Sequence, residues 1–236
     1  MTTLSPQQKE TLRIAEYKAR DTVRSHIDAA RRLYDNGFWP QSCFLAMTAI
    51  EEIGKSLAFQ LASAREDASV LRELRDHLTK ALFGAVTTLI LNDGARARHG
   101  RHPVTGIDRV EAIRLLGEAP GEWMSLRNGC LYVDLNPDAH AVTAPCERIT
   151  REHAYLMIVV ALEAYAEIHA PGFTYHHVSV DQLPDGARQQ KVVAEIEDFR
   201  AREAGHMDVD RLDFLANPDR IALLKAAVRQ VRSSPT

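Results

Sequence analysis

Apolar residues recur every three or four positions along most of the chain, the spacing that places side chains on one face of an α-helix. The first helix is predicted to begin after Ser5, because Ser5 can cap it, Pro6 suits its first turn and Gln8 completes a capping box. Asn36-Gly37 is predicted to end this helix, since both residues tolerate the left-handed conformation. Its apolar face consists of Leu12, Ala15, Ala19, Val23, Ile27, Ala30 and Tyr34.

The same spacing predicts helices along the rest of the chain, with little sign of strands. Helices are predicted from about 40 to 61, 67 to 91, 107 to 116, 120 to 133 and, strongly apolar and central, 150 to 169. Beyond Pro171-Gly172 we predict a short strand or extended crossing at 173–180 and two polar amphipathic helices at 189–204 and 218–231. The pattern therefore predicts an all-α helical bundle over residues 1–170 and a helical C-terminal extension over residues 171–236.

Composition and charge narrow the class of protein. The formal net charge of −3 gives no global basic field for nucleic acid. The start of the chain lacks a secretory signal, and the longest apolar run, 154–162, is too short to span a bilayer. The cysteines Cys43, Cys130 and Cys146 include no C-x-x-C pair and indicate reduced thiols. We therefore expect a cytoplasmic protein with no membrane contact.

Charged residues beside the apolar stripe of the second helix form a first candidate site. Glu51 and Lys55 are four residues apart and share a helical face. They are either an exposed ion pair worth a few tenths of a kcal/mol or a charged pair that faces a groove. Gly54 favours the groove, because glycine inside a helix costs about 1 kcal/mol relative to alanine and so indicates close approach by a neighbouring helix.

Two further segments carry candidate chemistry. His77 and Lys80 are near neighbours on the third helix, although a histidine on a helix flank is usually structural. Near the end of the helix that begins at Pro120, Arg127 and Asn128 could hold a phosphate and Tyr132 could donate a hydrogen bond. The alternative is an ordinary helix end with Tyr132 in the core.

The most basic segment is the loop at residues 93–106, which contains Arg96, Arg98 and Arg101. It has no interleaved aromatic residues and is therefore no stacking platform. It is either a solvated loop or a contact with an RNA backbone or a partner. His99-x-x-His102 and His176-His177 lack further ligands at metal spacing, so we expect no metal and no cofactor.

Three segments carry a resemblance to a known family. They are A-x-x-L-Y-D-N-G-F-W-P-Q-S-C-F-L-A-M-T-A-I-E-E-I-G-K from Ala30 to Lys55, then His77-x-x-Lys80, then Arg127 followed by Leu131-Tyr132-Val133-Asp134. Together they resemble the AbiV family of bacterial abortive-infection proteins, in the HEPN superfamily of helical bundles. The resemblance covers roughly residues 10–170 and implies phage defence.

Many HEPN proteins are metal-independent ribonucleases that act as dimers, with a motif of Arg, a polar residue and a later His. In that motif Arg neutralises the scissile phosphate and His moves a proton. Arg127 and Asn128 match, but Tyr132 stands where His is expected, and a phenol is a poor base at neutral pH. Among looser Arg-x(4–6)-His pairs, Arg72 with His77 is the best, because His77 lies in a resembling segment.

The resemblance leaves two hypotheses. The first is a HEPN-type ribonuclease effector, triggered by a phage-encoded protein, with a catalytic groove at a two-fold homodimer interface lined by Glu51, Lys55, Arg127, Asn128 and Tyr132. The second is a non-catalytic HEPN module that sequesters a phage or host protein or RNA. In either case RNA- or partner-binding residues are expected at His77, Lys80, Arg96, Arg98 and Arg101.

Overall fold

The computed structural model describes residues 4–73, 76–82, 84, 120–136, 141–169 and 186–207. The helices within these ranges are α1 (Pro6–Asp35), α2 (Trp39–Arg65), α3 (Val70–Glu73), α4 (His77–Leu82), α5 (Pro120–Gly129), α6 (Pro145–Arg148), α7 (Arg151–Ile168) and α8 (Gly186–Ala204). Two short strands, β1 (Asp134–Asn136) and β2 (Ala141–Thr143), pair antiparallel between α5 and α6. The predicted all-α class is confirmed.

Helices α1 and α2 form an antiparallel hairpin whose start the sequence predicts correctly. The Ser5 hydroxyl accepts from the Gln8 amide at 3.2 Å, and the Gln8 side chain accepts from the Ser5 amide at 2.8 Å. The turn between the helices contains Gly37 at a φ of 80°, the left-handed region that glycine adopts without strain. The Ser42 hydroxyl donates to the Ala30 carbonyl oxygen at 2.8 Å beside this turn.

Helix α7 is the central helix, as predicted. Every side chain from Glu152 to Ile168 is buried except the half-buried Tyr155. Helix α7 packs against α1, α2 and α8. Helix α8 belongs to the same core, because Val192, Ile196 and Phe199 are buried in it and the Phe199 ring stacks on Tyr155 with centroids 5.5 Å apart.

Two predicted helices are wrong in their extent. The helix predicted at 67–91 begins later, because residues 67–69 form a turn and α3 starts at Val70. It is also interrupted, because a new helix, α4, begins at His77. The Asp76 carboxylate accepts from the Thr79 amide at 2.7 Å and so caps the new helix. The helix predicted to reach Val133 ends at Gly129 and gives way to the β hairpin, whose three-residue strands are too short to show an alternating pattern.

Several predicted segments lie outside the described residues. They are the basic loop at 93–106 with Arg96, Arg98 and Arg101, the helix at 107–116, the crossing at 173–180 and the helix at 218–231. The helix predicted at 189–204 is confirmed as α8. None of the helices in the described ranges combines the length and the hydrophobicity that a bilayer crossing requires.

Candidate functional site

The carboxylate of Glu51, on α2, is the centre of a cluster drawn from three helices. The side chain is only 3% exposed. Its Oε1 accepts from Nε of Arg127 on α5 at 2.9 Å, and its Oε2 lies 2.7 Å from Nδ1 of His77 on α4. The ammonium of Lys80, also on α4, lies 3.8 Å from Oε2. Residues 26 and 76 positions away from Glu51 therefore converge on it.

Glycines at the crossing of α2 and α4 make this convergence possible. A Cβ on Gly54 would lie 1.8 Å from the carbonyl oxygen of Lys80, and one on Gly84 would lie 2.0 Å from that of Ile50. The two backbones are thus in direct contact one turn beyond Glu51, which brings His77 and Lys80 within reach of its carboxylate. The predicted packing role of Gly54 is confirmed.

The side chain of Arg127, on the last turn of α5, contacts two residues of α2, Glu51 and Phe44. Its guanidinium carbon lies 5.1 Å from the centroid of the Phe44 ring, a cation–π contact on the side of α2. Trp123 is fully buried and anchors α5 in the core. Arg148 braces the end of α5, because its stem packs where a Cβ on Gly129 would come within 3.0 Å. The Arg127 side chain is consequently 13% exposed.

The charge of the cluster is unbalanced. A buried carboxylate is costly unless it is hydrogen-bonded and paired, and Glu51 meets both conditions. Among the described residues, however, it faces two cationic side chains, Arg127 and Lys80, so this group carries a surplus positive charge before His77 is counted. Such a group is suited to bind an anion near its surface.

His77 is oriented for proton transfer. A carboxylate only accepts hydrogen bonds, so the short contact assigns the hydrogen to Nδ1 and the free lone pair to Nε2 of the neutral ring. The Lys80 ammonium lies at a longer 3.3 Å from the same Nδ1. The His77 side chain is 45% exposed, which leaves the ring accessible from solvent.

Only some of the predicted catalytic residues come together in the structure. Glu51 and Arg127 meet, but the predicted pairing of Glu51 with Lys55 is wrong, because the Lys55 ammonium contacts Glu52 instead. Asn128 and Tyr132 are exposed, and among the described residues no side-chain contact joins either to Glu51. The alternative placement of Tyr132 in the core is also wrong, since it is 64% exposed.

The sequence predicts His77 and Lys80 as RNA- or partner-binding residues, whereas in the structure both lie beside Glu51. Their three-residue spacing was a visible signal, but nothing local connects them to Glu51. The contribution of Phe44 was missed altogether. Arg72 is exposed on α3, and Arg96, Arg98 and Arg101 fall outside the described residues. Within the described ranges, no group of three His, Cys, Asp or Glu side chains is placed to hold a metal ion.

Comparison with known proteins adds one result. A family model described as AbiV, of the HEPN type, matches residues 11–166, which include Glu51, His77, Lys80 and Arg127. No curated protein and no solved structure matches the chain.

Proposed function

The chain belongs to the AbiV family of HEPN proteins, and on this premise we propose that it is an abortive-infection effector that cleaves RNA at the Glu51 cluster. Membership of the family indicates a role in defence against phage. The observation that supports cleavage is His77, held by Glu51 through Nδ1, beside a surplus of cationic charge.

In this proposal Arg127 and Lys80 neutralise the oxygens of the scissile phosphate. Nε2 of His77 accepts the proton of the 2′-hydroxyl while the 2′ oxygen attacks phosphorus. The bond from phosphorus to the 5′ oxygen breaks, and that oxygen takes up a proton, which we assign to the Lys80 ammonium of the cluster. The products carry a 2′,3′-cyclic phosphate and a 5′-hydroxyl, because the 2′-hydroxyl and not a metal-bound water is the nucleophile.

His77 thereby supplies the proton transfer that Tyr132 is poorly suited to supply. Glu51 is a positioning residue, since it fixes the tautomer of His77 and the direction of Arg127. We include in the proposal a homodimer and activation by a phage-encoded protein, both implied by the family.

Because the proposal includes activation by a phage-encoded protein, cleavage of a labelled RNA by the chain purified from phage-infected cells, in the presence of a chelator, tests it. His77→Ala should lower the rate by roughly 10²–10⁴-fold, the usual contribution of a positioned acid or base. His206→Ala is the matched control, because His206 is exposed just after α8. Detection of 2′,3′-cyclic phosphate ends would support the mechanism.

The other hypothesis, a non-catalytic module, makes a different forecast. Wild-type protein would bind RNA or a protein and protect cells without any cleavage, and His77→Ala would weaken that binding with no cleavage rate to lose. Equal rates for His77→Ala and His206→Ala would also reject the Glu51 cluster as the active site.

A further inference from the structure

Exposed apolar side chains are concentrated directly after the Arg127 turn. Of the seven large hydrophobic residues that are exposed in the described part of the chain, three follow this turn, Leu131, Tyr132 and Val133, and a fourth, Val142, lies on β2. We refer to these four residues as the Tyr132 ridge. The others, Ile14, Tyr17 and Phe38, lie on α1 or at its turn into α2.

The backbone connects the ridge closely to Arg127, a member of the Glu51 cluster. The amides of Leu131 and Tyr132 both donate to the carbonyl oxygen of Asn128 at 3.0 Å, so these two residues complete the last turn that carries Arg127. Val142 lies on β2 opposite Leu135, and its neighbour Thr143 is opposite Asp134, the residue that follows Val133. An apolar surface thus begins within one helical turn of Arg127.

Charge is distributed unevenly along this surface. At one end the Glu51 cluster has surplus positive charge. Further along, the guanidinium of Arg148 lies 3.3 Å from the exposed carboxylate of Asp134, and these two charges cancel. A fitting ligand has an anionic group next to a flat apolar group, and it needs no second anion at the far end.

An unpaired nucleotide combines these two groups, a phosphate and a base with free faces. In a duplex both faces of each base are already stacked, whereas an unpaired base can stack on an exposed aromatic ring. We propose that the Tyr132 ridge is a stacking subsite for an unpaired base next to the phosphate held by Arg127. It selects single-stranded RNA, and it rests on the proposed function. The ring of Tyr132 acts in this subsite and its hydroxyl does not.

The test measures binding of the full chain to a single-stranded 2′-O-methyl oligouridylate, which cannot be cleaved, and to the same strand in a duplex. Tyr132→Ala should weaken single-strand binding roughly 5- to 150-fold, the range for loss of one stacked base. Tyr132→Phe should bind like wild type, and duplex binding should be insensitive to both changes. Tyr17→Ala is the matched control, since Tyr17 is 66% exposed on α1.

Salt dependence separates stacking from charge. Arg127→Ala should reduce the slope of log affinity against log salt by about 0.7, the value for one phosphate contact on a single strand. Tyr132→Ala should leave that slope unchanged.

Three results would overturn the inference. If Tyr132→Ala binds like Tyr17→Ala while Arg127→Ala is impaired, there is no stacking subsite, but the proposed function stands. If wild type neither binds nor cleaves RNA, the proposed function fails and the subsite with it. If Tyr132→Ala changes only the mass in solution, the ridge is an interface between copies of the chain.

Discussion

Glu51 and Glu203 are both buried carboxylates with 3% of the side chain exposed, but their surroundings differ in charge. Glu203, near the end of α8, accepts from the Tyr34 hydroxyl and from Nη2 of Arg151, both at 2.6 Å, and from Nε of Arg202 at 3.0 Å. Arg202 also donates to Asp35 at 2.8 Å. Two carboxylates thus balance two guanidinium groups.

This balance makes the Glu203 cluster a structural clamp between α8, α1 and the start of α7. Burial raises the pKa of Glu203, but the Tyr34 hydrogen bond and the Arg151 charge outweigh it and lower the pKa overall. Burial, followed by the bond to Glu203, raises the pKa of Tyr34, so the phenol keeps its hydrogen. Every group has its partner, and nothing in the cluster favours a ligand.

In the Glu51 cluster, counted over the described residues, one carboxylate meets two cationic side chains and a half-exposed histidine. The two sites look alike when only the ion pairs are counted. Their charge balance and the exposure of one titratable ring separate a site that binds and reacts from one that holds helices together.

The largest expected effect comes from the matched changes Glu51→Gln and Glu203→Gln. Glu51→Gln removes the negative charge and replaces one of the two acceptor oxygens that orient His77 and Arg127 by an NH₂ donor, so RNA cleavage should fall by about 10²–10³-fold in a folded protein. Glu203→Gln should lower thermal stability and leave the rate per folded molecule unchanged. An equal loss of rate in both variants would remove the distinction between the clusters.

A buried histidine sharpens the contrast with His77. His153 on α7 accepts from the Thr150 amide through Nδ1 at 3.1 Å, and burial together with the Arg148 charge lowers its pKa from 6.5 to about 4. Between pH 6.5 and about pH 4, His153 is protonated in the unfolded chain but neutral in the native chain. Stability therefore decreases as pH falls through this window, by roughly 3 kcal/mol in all.

Urea unfolding at pH 7.5 and pH 4.5 checks this prediction. His153→Gln keeps an acceptor for the Thr150 amide but cannot titrate, so it should lose less stability over the interval than wild type. Identical losses in the two proteins would show that His153 does not carry the acid sensitivity.

Gly54→Ala should disturb the Glu51 cluster through its backbone. The new methyl group would overlap the carbonyl oxygen of Lys80, so α4 must shift, at a cost of roughly 1–3 kcal/mol or more. Gly205→Ala is the control, because no atom lies within 4 Å of the position its Cβ would take. Comparison of the unfolding midpoints of the two variants measures the difference, and equal midpoints would argue against the close crossing.

The smallest effect is expected for Arg202→Ala. Arg202 is 42% exposed, and ion pairs of this kind contribute about 0.2–1 kcal/mol that added salt screens. Arg13→Ala, which removes an even more exposed pair with Glu10, should have less effect still. A loss of several kcal/mol for Arg202→Ala would mean that the Glu203 clamp depends on it.

The sequence alone determined the features whose causes lie within a few residues of one another. Ser5 and Gln8 cap α1 locally, and apolar periodicity predicts the long helices and their faces. It also determined the family, through segments that carry Glu51, His77 and Arg127. The sequence pattern does not predict the interruption at Asp76 or the short hairpin. The helical spacing of apolar residues continues across Asp76, where one capping side chain is enough to start a new helix.

Only the tertiary structure decided what Glu51 binds. The i,i+4 spacing on a helix favours Lys55 as the partner of Glu51. In the structure Glu51 is buried against α4 and α5 and contacts His77 and Arg127, while Lys55 contacts Glu52. That outcome depends on the contact of Gly54 with Lys80, which joins segments that are distant in the chain. The energy of an ion pair depends on burial and distance, and neither can be read from the spacing of residues in a sequence.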